Sequence, residues 1–476
     1  MKFLLINPRT DLKKTMGRWS YFISPLLPLG IAYIASVLEK SGHLVQVIDQ
    51  YADNMTNKNL LDFIYRSNPD AIGFSCLSNS IPAARILCEE IKKIRPAIKI
   101  ILGNIHPTVL PENTLKTVPA DIIVRGEGEL TILELLEYLE NKKDLTEVKG
   151  ITYRNNGTIL HNPDRPMIKD LDDLPYPAWH HFNLKKYNTL PLLGFKDIYL
   201  PIQSMRGCSH RCYFCAQDRV FHGVRIRKVK KIVDEIEYFH GKLGIKFFRF
   251  NDPYFPINPQ YGFEFCDELI SRGLNKRIKW VIESRVDVLN DQLCSRMKEA
   301  GLSLIAFGFE SGSENILNKI NKRITLNDSQ VIMNSAREAK LNTFGCFILG
   351  LPGENQSSCR QTIDFALKLD CDLAKFSIAT PYPGSRFFED YQDTLINRSS
   401  SDGFSAWHDS SLQGGPVFIP QGMSADELIG LQKEAMRKFY LRPRKILKLV
   451  TKRLLSWRSI LWGGLVLISN YFHRRK

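Results

Sequence analysis

No disulfide framework runs through this sequence: its ten cysteines are spread along 476 residues and only three of them cluster, unlike a stapled secreted domain. The opening stretch MKFLLINPRTD has one basic residue and then a short apolar run broken by Asn7 and Pro8. It lacks the longer apolar core and small-residue cleavage site of a secretory signal, so a reducing, cytoplasmic setting is expected, where thiolates stay available to a metal. Long apolar runs are scarce. Ile460 to Phe472 covers about 13 residues and contains Ser469 and Asn470, short of the roughly 20 that a spanning helix needs. Peripheral attachment to the inner face of the membrane is the most this run predicts. Acidic residues are missing from Leu441 to Lys476, a stretch that holds ten Lys or Arg and explains most of the formal charge of +15. The body of the chain is only mildly basic, and no nucleic-acid partner is expected.

What is present is alternation. Short apolar runs at Phe3 to Ile6, Leu44 to Ile48, Ala71 to Phe74, Ile98 to Leu102 and Ile122 to Val124 are separated by helical patterns such as Pro28 to Lys40 and Ile81 to Ile94. Five strands alternating with helices predict a doubly wound parallel α/β sheet. Ligands bind beyond the carboxyl ends of such strands, and those ends carry Asn7, Asp49, Ser75, the run Gly103-Asn104-Ile105-His106-Pro107-Thr108 and the run Gly126-Glu127-Gly128-Glu129. From about Gly150 to Pro201 the chain turns rich in Pro, Asp and His and reads as an irregular connector. A second alternating series follows, with strands at Phe247 to Phe250, Lys279 to Ile282, Leu304 to Phe309, Thr343 to Leu349 and Leu373 to Ile378. With a strand just before the cysteines, about six strand–helix units predict an open or partial (β/α)6 barrel. From Arg444 onward, Leu447, Val450, Leu454, Trp457 and Leu461 recur at spacings of three and four among basic residues, the pattern of a basic amphipathic helix.

The sharpest feature is Arg206-Gly207-Cys208-Ser209-His210-Arg211-Cys212-Tyr213-Phe214-Cys215. Three thiolates can fix three irons of a cubane cluster and leave the fourth open. A structural zinc site would need a fourth ligand and usually has two-residue spacings, and His210 is awkwardly placed to serve. The CxxxCxxC spacing, with an aromatic, Phe214, before its last cysteine, resembles the radical S-adenosylmethionine superfamily. By that resemblance Cys208, Cys212 and Cys215 hold a [4Fe-4S] cluster whose open iron is chelated by S-adenosylmethionine. Asn251 and Asp252, Glu283 with Arg285, the stretch Phe307 to Ser313 with Glu310, and the stretch Phe347 to Glu354 with Gly350 would then contact that cofactor. Glu283 suits a ribose diol, and Lys322 or Arg323 the methionine carboxylate.

The first 145 residues, with LGNIHPTVLPE and DIIVRGEGE, resemble the flavodoxin-like cobalamin-binding domain found before such barrels. The resemblance implies cobalamin contacts at Ser75, Gly103, Asn104, His106, Thr108, Gly126 and Glu127. No Asp-x-His-x-x-Gly follows the first strand, so cobalamin is expected to bind without a protein histidine on cobalt, and His106 is the sole substitute to weigh. Cys76 and Cys88 are too few to hold the second cluster of the methylthiotransferases. The division predicted is a cobalamin-binding-type domain at 1–145, a connector at 146–200, a radical core barrel at 201–390 and a C-terminal region at 391–476.

The reaction implied is hydrogen abstraction by a 5′-deoxyadenosyl radical and methylation of an unactivated carbon from methylcobalamin, the cofactors performing the chemistry. A radical rearrangement or oxidative cyclisation without methyl transfer is the alternative within enzymes; a cobalamin-binding sensor without radical chemistry is the alternative outside them. The partners implied are an external electron donor of flavodoxin or ferredoxin type and a small-molecule or lipid-like substrate. Membrane contact through the tail competes with simple packing of its apolar stripe on the barrel.

Overall fold

The computed structural model describes residues 1–9, 25–187, 198–396 and 415–452. In the first part β1 (Lys2–Asn7), α1 (Leu29–Lys40), β2 (Leu44–Asp49), α2 (Asn57–Ser67), β3 (Ala71–Ser75), α3 (Ile81–Ile94) and β4 (Lys99–Gly103) alternate. Two short helices, α4 (Ile105–Val109) and α5 (Pro111–Thr117), lead to β5 (Ile122–Val124) and α6 (Gly128–Leu139). The strands read as continuous apolar runs because helices cover both faces: Phe3, Leu4, Leu5 and Ile6 are all buried. In α3 the buried Ile81, Ala84, Leu87, Cys88 and Ile91 form one stripe against the sheet.

The strand order is β2-β1-β3-β4-β5, all parallel, and it is extended by β6 (Ile151–Asn155) and β7 (Thr158–His161) in antiparallel sense. These two strands lie in the stretch read from sequence as an irregular connector, and they correct that reading. Asn156 and Gly157 turn the hairpin with φ of 47° and 85°, both in the left-handed region that a tight two-residue loop requires.

The second sheet comprises β8 (Tyr199–Ile202), β11 (Phe247–Phe250), β12 (Lys279–Ser284), β13 (Leu302–Glu310), β14 (Asn342–Leu349) and β15 (Leu373–Ile378). Its order, β15-β14-β13-β12-β11-β8, is sequential, parallel throughout and open between β8 and β15, which is a six-stranded partial barrel. The small pair β9 (Met205–Arg206) and β10 (Arg225–Ile226) brackets the cysteine loop, which ends in α7 (Gln217–Val220). The crossovers are α8 (Val229–Leu243), α9 (Pro259–Ser271), α10 (Asp291–Glu299), α11 (Glu314–Lys319) with α12 (Leu326–Glu338), and α13 (Gln356–Leu369). Their starts are fixed locally: Thr325 with Asp328 and Asn355 with Ser358 close reciprocal caps on α12 and α13.

After β15 come α14 (Arg386–Ile396), α15 (Ala425–Tyr440) and α16 (Pro443–Thr451). Tyr440 bonds both backbone groups of Ala374 on the edge strand β15. The described part of the basic tail packs on the barrel: Leu449 is buried with Leu304 and Leu373, and Lys448 and Lys452 pair with Asp372. The stretch from 453 on, including Leu454, Trp457, Leu461 and the run Ile460 to Phe472, lies outside the described residues. Among the described residues no helix is long and apolar enough to cross a membrane. One apolar core joins the α1 face of the first sheet to the helix face of the second through Trp179, Phe182 and Tyr187 of the intervening chain.

Candidate active site at the junction of the two sheets

Arg206 closes β9 two residues before the first cysteine, and the next residue is forced. At Gly207 φ is +86°, and a Cβ there would lie 1.9 Å from the carbonyl oxygen of Gly223. The loop that follows is held from three sides. Tyr213 N–H donates to the Ile320 carbonyl at 2.9 Å, Asn321 Nδ2 donates to the Arg211 carbonyl at 2.9 Å, and the Tyr213 ring stacks on Phe387. Phe214 is half-buried against the main core.

Cys208, Cys212 and Cys215 are each half-buried and close enough to perturb one another's ionisation. Burial pushes all three thiols up, Cys215 to about 11, while Arg285 and Lys322 favour the thiolates of Cys208 and Cys212. Backbone N–H groups of His210 and Gln217 bond Cys208 and Cys215, the kind of contact that stabilises sulfur ligands of iron. His210 is not a fourth ligand here, since its ring packs edge-on against Tyr254.

The carboxyl ends of the barrel strands supply the charged groups. Glu310 ends β13 at a bulge with φ of +64° and pairs with the buried Lys322 at 2.8 Å; Gly308 leaves the space they occupy, for a Cβ there would meet both charged heads. Arg285 is buried between Asp287 and the carbonyl of Lys322. Glu283 is exposed at the end of β12 and bridged by Arg249 at 2.6 Å, and Asn251 is exposed at the end of β11.

Two expected contacts have other duties. Asp252 is buried, and its two oxygens accept from Ser204 N–H, Ser204 Oγ and Met205 N–H, so it braces the strand leading into the cysteine loop rather than facing a ligand. The Cα of Gly350 faces Leu428, and its N–H is taken by Glu354, so its φ of +84° and close packing explain the glycine.

On the first sheet, Asn104 Nδ2 donates to Ser75 Oγ at 2.8 Å, and Thr108 Oγ1 accepts from Gly126 N–H at 3.0 Å, linking the ends of β3, β4 and β5. Nothing lies within 4 Å of where a Cβ would sit on Gly103. His106 is corrected as a cobalamin contact, while its place as a hydrogen-bonding loop residue is what the structure shows: it is fully buried, with Nδ1 on Ser78 Oγ at 3.0 Å, and burial lowers its pKa to about 4. Glu127 is corrected too. Its carboxylate is bonded by Arg206, Arg225 and the Ile168 N–H, while Glu129 takes the other arm of Arg206 at 2.6 Å. The Arg206 guanidinium also lies over the Tyr33 ring. The roles of buried Arg206 and half-buried Arg225 were missed from sequence; Arg206 adjoins the cysteine motif, but nothing local says which carboxylates it meets.

The two sheets are thus joined at the root of the cysteine loop. A second contact lies beyond it. Gly384, with φ of +86°, is wedged so that a Cβ would lie 2.7 Å from Val109 Cγ1 and 3.3 Å from Ala216 Cβ, bringing α4, the residue after Cys215 and the chain after β15 to one point.

The B12 binding domain family matches residues 23–136, and the Radical SAM superfamily matches residues 202–366. An uncharacterised methyltransferase of Pyrococcus horikoshii is 32% identical over 94% of this chain and 94% of its own length. The chain belongs to the cobalamin-binding radical S-adenosylmethionine enzymes. An anaerobic magnesium-protoporphyrin IX monomethyl ester cyclase of Cereibacter sphaeroides is 30% identical over 87% of this chain and 67% of that enzyme. The methyltransferase TsrM of Kitasatospora setae, solved with cobalamin and a [4Fe-4S] cluster, shares the fold with a TM-score of 0.69 at 16% identity, over 92% of this chain and 81% of that one. As in this family, the enzyme's cofactors are a [4Fe-4S] cluster, S-adenosylmethionine and cobalamin. Three neighbouring thiols backed by two cations suit the cluster, and the open strand end at Gly103 leaves room for a bulky ring.

Proposed function

We propose that this enzyme methylates an unactivated carbon of a small-molecule substrate, held between the carboxyl ends of the barrel strands and the strand ends of the first sheet. One observation carries the reading: Arg206 ties the cysteine loop to Glu127 and Glu129 at the strand ends of the first sheet, so the loop and those strand ends are held against each other. In this reading Cys208, Cys212 and Cys215 hold the cluster. Arg285 and the Glu310–Lys322 pair, with Asn251 and Glu283, orient S-adenosylmethionine. Ser75, Gly103, Asn104, Thr108 and Gly126 border the corrinoid. When bound, these cofactors supply radical formation and a transferable methyl group. The chain's own part is positional: the buried Glu310–Lys322 pair keeps charge fixed beside the cysteines, and Phe214 shields one side of the loop from water. Electrons come from an external donor of flavodoxin or ferredoxin type. For a lipid-like substrate the tail, whose Leu447 and Val450 are exposed next to the undescribed segment, would bring the enzyme to the membrane surface while the substrate is held at the carboxyl ends of the strands.

The 30% identity with the cyclase favours oxidative cyclisation without methyl transfer as the second reading. Anaerobic reconstitution with iron, sulfide and hydroxocobalamin, followed by turnover with methyl-deuterated S-adenosylmethionine, separates the two. Deuterated methyl in product establishes methylation; 5′-deoxyadenosine formed with no label transferred establishes the alternative, and a chain that binds corrinoid but never cleaves S-adenosylmethionine would be a sensor.

A further inference from the structure

The chain between the two sheets runs as a strap along α1. Ser36 Oγ donates to the Tyr176 carbonyl at 2.7 Å, and Ala178 N–H donates to the Ala32 carbonyl at 3.0 Å. Farther on, Lys186 reaches Asp53 at 2.9 Å and Tyr187 O–H donates to Asp49 at 2.8 Å, at the carboxyl end of β2. Midway, the short 3-10 turn Trp179–His181 directs two consecutive imidazoles onto the last turn of α1. His180 Nε2 is 3.0 Å and His181 Nε2 2.8 Å from the same oxygen, Oε1 of Glu39. Successive side chains of a 3-10 turn point about 120° apart, so two adjacent histidines meeting on one atom is an unusual convergence.

We propose that Glu39, His180 and His181 form an open zinc(II) site, three protein ligands with water in the fourth position, which ties this strap to α1. The donor set is two imidazole nitrogens and a carboxylate oxygen, the borderline set that selects zinc over calcium or magnesium. The three donor atoms all lie within 4.8 Å of one another. Bonds of about 2.0–2.1 Å at a tetrahedral centre place ligand atoms roughly 3.3 Å apart, so the N···O separations need to open by only a few tenths of an ångström. His180 is 63% exposed on its side chain, which gives the ion a way in and leaves a fourth position for water. His181 and Glu39 are more enclosed, with side chains 14% and 33% exposed, so the ion would sit against α1 rather than out in solvent. Because strap and helix belong to different parts of the chain, the metal would cross-link residues about 140 positions apart in sequence.

The test uses the full chain in two forms: reconstituted with iron and sulfide so that the cysteines are occupied, and with Cys208, Cys212 and Cys215 all replaced by alanine. Each is equilibrated with zinc chloride, desalted and assayed for metal. One zinc per chain in both forms, lost in His180→Ala/His181→Ala, is expected. Glu39→Gln keeps the hydrogen-bonding shape and should weaken zinc binding at least about tenfold, since even outer-shell partners are worth about 10–100-fold. Cobalt(II) bound to the triple-alanine form should show ligand-field bands without thiolate charge transfer. At free zinc about a hundred times Kd, opening of the strap, read by hydrogen exchange at Ala178, should slow about a hundredfold. No retained zinc in the triple-alanine form, or equal zinc in the histidine variant, would overturn the site; zinc bound without slower exchange would overturn the clamp.

Discussion

Arg206 is the buried cation between two buried carboxylates, and removing it should cost more than removing the carboxylate with it. Its side chain and those of Glu127 and Glu129 are each under a tenth exposed. In Arg206→Met, Glu127 keeps Arg225 and the Ile168 N–H, but Glu129 loses its ion-pair partner. Stranding one partner of a buried pair typically costs about 3–5 kcal/mol, whereas replacing the pair by apolar groups is near neutral. With a urea dependence of about 3 kcal/mol per M, Arg206→Met should lower the unfolding midpoint by roughly 1 M or more, and Arg206→Met/Glu129→Leu should recover most of that loss. The assay is urea titration followed by tryptophan fluorescence, to which the buried Trp179 at the junction contributes. Midpoints are compared rather than a single free energy, because a chain built on two sheets can unfold in more than one step. The reasoning fails if the double variant is no more stable than the single one. Iron content should follow the same order, since Arg206 lies two residues from Cys208.

Gly207→Ala places a methyl group against the Gly223 carbonyl at a positive φ and should cost about 3 kcal/mol or more, visible as lost iron binding per chain. Leu449→Ala should cost about 2–5 kcal/mol of thermal stability, because that side chain is buried against Leu304 and Leu373. Burial pushes Glu354 up to about 7, only partly offset by bonds from the Leu351 and Gly350 N–H groups. A carboxyl raised on folding favours the folded state below its unfolded pKa and loses that contribution as pH rises toward 7; Glu354→Gln should therefore flatten the decline in stability between about pH 5 and 7, measured by melting temperature across that range. Changing any one of Cys208, Cys212 or Cys215 to alanine should abolish S-adenosylmethionine cleavage while corrinoid binding persists, read by product chromatography and by visible absorbance.

Much of this architecture was legible because its strands are buried on both faces. Runs such as Phe3 to Ile6 and Phe247 to Phe250 admit few other readings, and the helix bounds at Ile81 and Ile94 follow from one unbroken stripe. The β6–β7 hairpin was missed although Asn156-Gly157 is a strong turn signal, because the Pro- and Asp-rich stretch that follows masked it. The cysteine site was legible from spacing alone. The roles of Asp252, His106 and Glu127 were not, because pattern places a residue at a strand end but does not say whether its polar atoms face a ligand or are already taken by Ser204, Ser78 or Arg206. The convergence of Glu39, His180 and His181 was likewise invisible, being made by a contact between distant segments.

The packing of α16 against the barrel bears on how firmly the site is held. Leu449 and Tyr440 stopper the barrel at the amino ends of its strands, where Leu304, Leu373, Val281 and Phe344 meet them. Among the described residues that end of the barrel is covered by the tail helix, while the opposite end faces the first sheet, pinned there through Arg206. The tail helix therefore acts on the barrel from the end remote from the cysteine loop, so loosening it would soften the frame that carries the site without touching the site's own residues.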